Sequence, residues 1–315
     1  MKGFRVLNNQ LHGGDALSEI LYDARFKSLV GSGLQVQRLA GGFAFVEGPA
    51  WNVSTNSLVF SDIPANRLLQ WNRRSGISVL REPSNMANGN TFDRRGRLIS
   101  CEHASSRLVR AEADGTMTVL ASHYGERELN SPNDVVVDST GRIYFSDPNY
   151  GRTHELVGIK REQEIPWQGV YRIASDGDLT VIADDFEQPN GLCLDEQERY
   201  LYVNDTLRRH IRRWALDDAG GTSGGEIWAE FKGDGPSVPD GMKIDSAGTL
   251  FCTGGEGIQV FDREAHCLGA IVIPEKTANF AWGDDDFKTL YVTASTSLYR
   301  VRVAVPGNPL FQSPA

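Results

Sequence analysis

The chain has 315 residues, of which 40% are hydrophobic and 23% charged, and a net charge of −9, a composition ordinary for a soluble globular protein. No block of Lys or Arg supplies the concentrated basic face that nucleic-acid binding needs, and no apolar run reaches the ~20 residues of a membrane-spanning helix. The N-terminal stretch MKGFRVLNNQLHGGDALSEI lacks the apolar centre of a secretory leader, and Cys101, Cys193, Cys252 and Cys267 show no CxxC spacing. Buried reduced thiols and a cytoplasmic location are therefore expected.

In chain order, residues 1–32 read as a helical extension. Within DALSEILYDARFKSLV, Asp15 can N-cap a short helix that carries Leu17, Ile20, Leu21 and Ala24 on one side. Residues 33–305 carry a β repeat and residues 306–315 a short tail. The repeat shows in six strand-like runs: LVFSD from Leu58, LISCE from Leu98, IYFSD from Ile143, LYVND from Leu201, LFCTG from Leu250 and LYVTA from Leu290. Each follows a turn-rich segment, and most precede a further strand pair. Their starts lie 40, 45, 58, 49 and 40 residues apart. Four strands per forty-odd residues, six times over, predict an all-β, six-bladed β-propeller with the short N-terminal helix outside the blades. GLQVQRLA at residues 33–40 is expected to complete the sixth blade and close the ring.

Counting back ten or eleven residues from each strand start gives Glu47, Asn88, Asn133, Asn190, Asp240 and Asn279. All six bear a side-chain oxygen. In a propeller the innermost strands surround a channel, so equivalent positions at their starts form a ring at one mouth. Residues that close the second strands, Asp62, Glu102 with His103, Asp147 and Asp205, are expected near the same mouth. Two carboxylates, Glu47 and Asp240, facing one narrow channel repel unless something positive stands between them, and no Lys or Arg occupies a ring position. A divalent cation is the economical solution. The all-oxygen donor set favours Ca²⁺, with Mg²⁺, Mn²⁺ and Zn²⁺ as alternatives.

VEGPAW, SPNDVVVD, QPNGLCLD and PDGMKID, in that order on a six-repeat chain, resemble the senescence-marker-protein/gluconolactonase (regucalcin-like) family over roughly residues 40–303. FSDPNYG and WQGVYRI are closest to its bacterial gluconolactonase branch. The resemblance implies one divalent metal in the channel held by Glu47, Asn190 and Asp240, with Asn133 either a ligand or a substrate contact. In regucalcin-type members an Arg two residues before that Asn holds the sugar. Here the position is Ser131, so that contact does not carry over.

The activity implied is metal-dependent opening of a sugar lactone by water, the metal polarising the carbonyl. Asp240, Asp134 and Asp205 are the candidate general bases. Because a carboxylate on a cation is a poor base, Asp134 and Asp205 come first for testing. Asn88, Glu102, His103 and Asp147 are candidate substrate contacts together with Asn133, and His103 is also a candidate proton shuttle. A phosphotriesterase on the same metal site and a non-catalytic binding propeller are the alternatives. Residues 149–169, which account for the longest spacing, read as either a partial lid or a surface loop.

Overall fold

The computed structural model describes residues 18–308. In it the repeats form six antiparallel sheets built on the same four-strand plan. Blades one to five cover residues 46–81, 87–121, 135–186, 189–230 and 242–272. The inner strands are Val46–Asn52, Ala87–Phe92, Val135–Val137, Pro189–Leu194, Met242–Ile244 and Thr277–Gly283. Each touches the next around the axis, and the sixth touches the first. Blade six takes its outer strand from the other end of the chain: Val36–Gly41 pairs antiparallel with Ser297–Arg302, Val36 lying opposite Val301. The expected closure holds.

The unbroken apolar runs follow from burial on both faces. Successive strand residues point to opposite sides of a sheet, and here each side meets a neighbouring blade. Leu58 and Phe60 pack toward blade six, in a cluster with Trp51 and Tyr291, whereas Val59 packs toward blade two beside Ala87. Among the described residues there are six such clusters, one at each blade boundary. The four cysteines lie within the sheets as buried, free thiols. No helix among the described residues is long and apolar enough to cross a membrane.

At the far end of the channel, the Asp residues five positions after the ring fold back onto their own turns. Asp138 Oδ1 accepts the N–H groups of Thr140 and Arg142 at 2.9 Å each, and Asp245 Oδ1 accepts those of Ala247 and Thr249 at 2.8 Å each. Those aspartates are turn chemistry.

The extension differs from expectation. Glu19–Leu21 is a fifth strand on blade five, paired with Cys267–Val272, so Ile20 and Leu21 are not helical. The helix is Arg25–Val30, with Ala24 at its N-cap and Asp23 accepting the Arg25 N–H at 2.8 Å. Phe26 and Val30 are its buried face, seated in the cluster between blades five and six. An open edge on blade five, with unpaired backbone groups, captures a segment whose apolar spacing alone suits a helix. Asp15 and Leu17 lie outside the described residues. The first residues of the tail also pack: Gly307 bridges to Asp245 and Pro306 O accepts the Ser246 N–H at 3.0 Å.

Candidate metal and substrate site

The ring of six forms at one mouth of the channel. Glu47, Asn88, Asn133, Asn190 and Asn279 are buried, while Asp240 keeps partial contact with solvent. Four of the six are followed by glycine, at Gly48, Gly89, Gly191 and Gly241. A Cβ on Gly48 would lie 1.9 Å from Asn88 O, and one on Gly191 would lie 2.0 Å from Asp240 O. The inner strand of each blade therefore runs against its neighbour with no room for a side chain, which draws the donors together. Second-strand polar groups secure the same boundaries. Ser61 Oγ donates to Asn88 O at 2.7 Å, and Asn204 Nδ2 donates to Asp240 O at 2.6 Å.

The Glu47 and Asp240 carboxylates are in contact, near enough for the charge of Glu47 to act on Asp240. Burial lifts Glu47 to about 7, against the opposing bonds from the Gly48 N–H and from Asn279. Desolvation, and then the charge of Glu47, lifts Asp240 well above the usual carboxylate range. In the protein alone this pair must share a proton. A divalent cation fits the donors around it. Asn190 Nδ2 donates to Thr206 Oγ1 at 3.1 Å, which turns Asn190 Oδ1 the other way, buried and without a partner. Asn88 Oδ1 is likewise buried and unpartnered. Buried acceptors without donors beside two carboxylates suit a hard cation.

The other expected site residues divide. Asn279 is engaged at both ends: its Nδ2 donates to Glu47 Oε2 at 3.2 Å and its Oδ1 accepts the Phe280 N–H at 2.8 Å. It orients Glu47. The second-strand acids lie beside the ring strands, but already engaged by backbone amides or arginines. Asp147 accepts the N–H groups of Asn130 and Ser131 at 2.8 Å each. Asp205 accepts those of Glu187, Gln188, Leu207 and Arg208 at 2.9–3.2 Å. Glu102 takes Arg107 at 2.7 Å and Arg81 at 3.2 Å. Spacing alone cannot show this, because it carries no sign of which loop amides or arginines each acid meets.

His103 is engaged on both sides of its ring. Its Nε2 lies 3.3 Å from Asn88 Nδ2 and its Nδ1 lies 2.9 Å from Val157 O. The Nδ1–H tautomer satisfies both, donating to the carbonyl and accepting from the amide. Burial lowers its pKa to about 4. With both nitrogens engaged, the imidazole is placed to orient Asn88. Asp134 does face the channel, with Oδ2 3.8 Å from Lys243 Nζ. Lys243, which the ring count missed, also reaches Asn279 Oδ1 at 3.5 Å and lines a cavity of about 100 Å³ deeper along the channel. Asp134 Oδ2 is buried and without a hydrogen-bond partner, its charge balanced by Lys243.

Comparison with known proteins joins this geometry to a family. The SMP-30/gluconolactonase/LRE-like region matches residues 45–296. The chain belongs to that family. Within it, the gluconolactonase of Zymomonas mobilis is 28% identical, the match covering 96% of this chain and 91% of that protein. A pentonolactonase of Haloferax volcanii is also 28% identical over 85% of this chain and 94% of its own length. The solved gluconolactonase of Xanthomonas campestris superposes with a TM-score of 0.85 at 31% identity, covering 92% of this chain and 96% of that one.

In this member of the family the insertion in blade three lies between Ile143–Asp147 and Gln168–Ile173 and packs on the mouth. It opens with a helical turn, Tyr150–Thr153. The Tyr150 phenol sits beside Asn190 and Thr206, and burial, followed by the charge of Asp240, raises its pKa. Ser131 Oγ accepts the Gly151 N–H at 2.9 Å, so that side chain anchors the insertion. The 58-residue spacing pointed to the segment; no local pattern singled out Tyr150. Elsewhere, Asp262, Glu264 and His266 lie close together on a turn of blade five, but Asp262 is already ion-paired to Arg25 at 2.9 Å.

Proposed function

We propose that the protein is a metal-dependent lactonase that hydrolyses a sugar lactone to the open hydroxy acid. The observation that carries this reading is the contact between the Glu47 and Asp240 carboxylates beside the unpartnered Asn190 oxygen. The names of the relatives, gluconolactonase and pentonolactonase, support the substrate class. Glu47, Asn190 and Asp240 would hold the cation, with Asn133 beside them, and the all-oxygen set favours Ca²⁺. When bound, the cation supplies Lewis-acid polarisation of the lactone carbonyl.

The chain's own groups do the rest. Of the three candidate bases, Asp205 is engaged by four backbone amides and Asp134 is buried with Lys243 Nζ 3.8 Å away. Asp240 is the acid that retains solvent contact at the mouth, which supports it ahead of the other two, although the sequence put Asp134 and Asp205 first for testing. Asp240 takes a proton from water as the water oxygen bonds to the carbonyl carbon. The ring C–O bond then breaks, and the proton passes to the departing alkoxide oxygen. Asn88, aimed by His103, and Asn133 line the space the sugar occupies.

The test is acid release from glucono-1,5-lactone, an aryl ester and an organophosphate ester, before and after EDTA treatment and with Ca²⁺ restored. Turnover of the lactone alone, lost with EDTA and recovered with Ca²⁺, is expected. Full metal occupancy with no turnover of any substrate would instead mark a binding protein, and turnover of the organophosphate alone a phosphotriesterase.

A further inference from the structure

The insertion in blade three is firmly held. Arg152 is 2% exposed, and its guanidinium donates to the carbonyls of Leu129, Asn130 and Glu162 and pairs with Glu128. A side chain at Gly151 would stand 2.7 Å from His103 Cβ and 2.8 Å from Ser131 Cβ, so the backbone there is pressed onto the site. On the other side, the Asn149 N–H donates to Gln168 Oε1 at 2.9 Å. Tyr150 is fixed between these anchors.

Its phenol crosses the boundary to blade four, beside Asn190 and Thr206 and within the field of Asp240. The Thr206 hydroxyl gives its proton to Pro239 O at 2.7 Å and accepts from Asn190. The phenol is hydrogen-bonded to Thr206 and Asn190. With the Thr206 proton already given to Pro239 O, the phenol hydrogen goes to the Thr206 oxygen, which leaves the phenol oxygen to accept from an incoming molecule. Tyr150 is only half-buried where Asn190 is buried, so it stands between the donor set and solvent.

We propose that Tyr150 is a substrate-recognition residue, whose phenol oxygen accepts a hydrogen bond from a sugar hydroxyl of a polyhydroxylated lactone seated over Asn190 and Asp240. This rests on the lactonase reading and deepens it: a phenol held by the fold selects hydroxylated over plain lactones. A site built to bond a substrate hydroxyl discriminates against analogues that lack it.

The experiment compares the wild-type protein with Tyr150→Phe, both loaded with Ca²⁺, on glucono-1,5-lactone and on unsubstituted δ-valerolactone. Calorimetric Ca²⁺ affinity is expected to match in the two proteins, because the phenol is not a ligand. The ratio of kcat/KM for the sugar lactone to that for δ-valerolactone is expected to fall about tenfold, the loss of one hydrogen bond, carried mainly by KM. An unchanged ratio, from either no loss or equal loss on both lactones, overturns the assignment, as does a loss of Ca²⁺ binding. An active wild type with an unchanged ratio defeats only this inference. A Ca²⁺-loaded wild type inert on both lactones defeats the lactonase reading and this inference with it.

Discussion

Glu47 and Asp240 hold like charges together where little water reaches, an arrangement that opposes folding until a proton or a cation relieves it. Asp240→Asn keeps the shape and removes one of the charges. Lactone turnover should drop on the order of 10³-fold, the range of a lost general base. The melting temperature of the metal-free protein should meanwhile rise by about 2 °C. Activity assays and thermal melts in EDTA measure the two effects; a metal-free protein made less stable by the change would mean that the carboxylate supports the fold. At this scale the sequence was legible where period sufficed and silent where partners decide. Asn190 and Asn279 occupy equivalent register positions, yet one has a free buried oxygen and the other is bonded at both ends. What separates them is Thr206 beside the first and Glu47 beside the second, and neither is a sequence neighbour.

Strands and loops explain why the donors converge. Repeat spacing placed all six inner strands, and the 58-residue interval located the insertion that packs on the mouth. The glycine after four of the ring residues was also present in the sequence, but its meaning lies in the approach of adjacent strands. Gly191→Ala would press a methyl group into Asp240 O, 2.0 Å away, and toward Asn204 Nδ2 at 3.0 Å. Such overpacking should destabilise the protein by about 1–3 kcal/mol and weaken Ca²⁺ binding by about tenfold or more as blades four and five part. Urea unfolding and calorimetry read the two. Unchanged Ca²⁺ affinity would show that the close approach does not set the site. The segment Glu19–Leu21 was legible only as apolar, because the open edge of blade five, more than two hundred residues later, decides that it is a strand.

For the molecule as a whole, the closed ring makes the metal part of the stability. Without a cation, folded Glu47 keeps its proton up to about 7, whereas in the unfolded chain it loses it near the ordinary 4.5. The folded state binds more protons in that window, so metal-free stability falls as pH rises through it. Asp240 acts in the same direction. His103, lowered to about 4, works in the opposite sense below its ordinary 6.5, and Asp147, raised to about 7 by burial, adds to the fall. Neither touches the cation, so the difference between metal-free and Ca²⁺-loaded melting curves cancels both. That difference should widen from about pH 5 to about pH 8; a constant difference would mean that the cation displaces no proton.

The central claim is that Glu47 and Asp240 share one divalent cation. Calorimetric titration of Ca²⁺ into EDTA-stripped protein, set against the Glu47→Gln variant, tests it most directly. One equivalent bound per chain, lost in the variant while its fold persists, is the result predicted. No binding to the wild-type protein, or binding undiminished in Glu47→Gln, would contradict it.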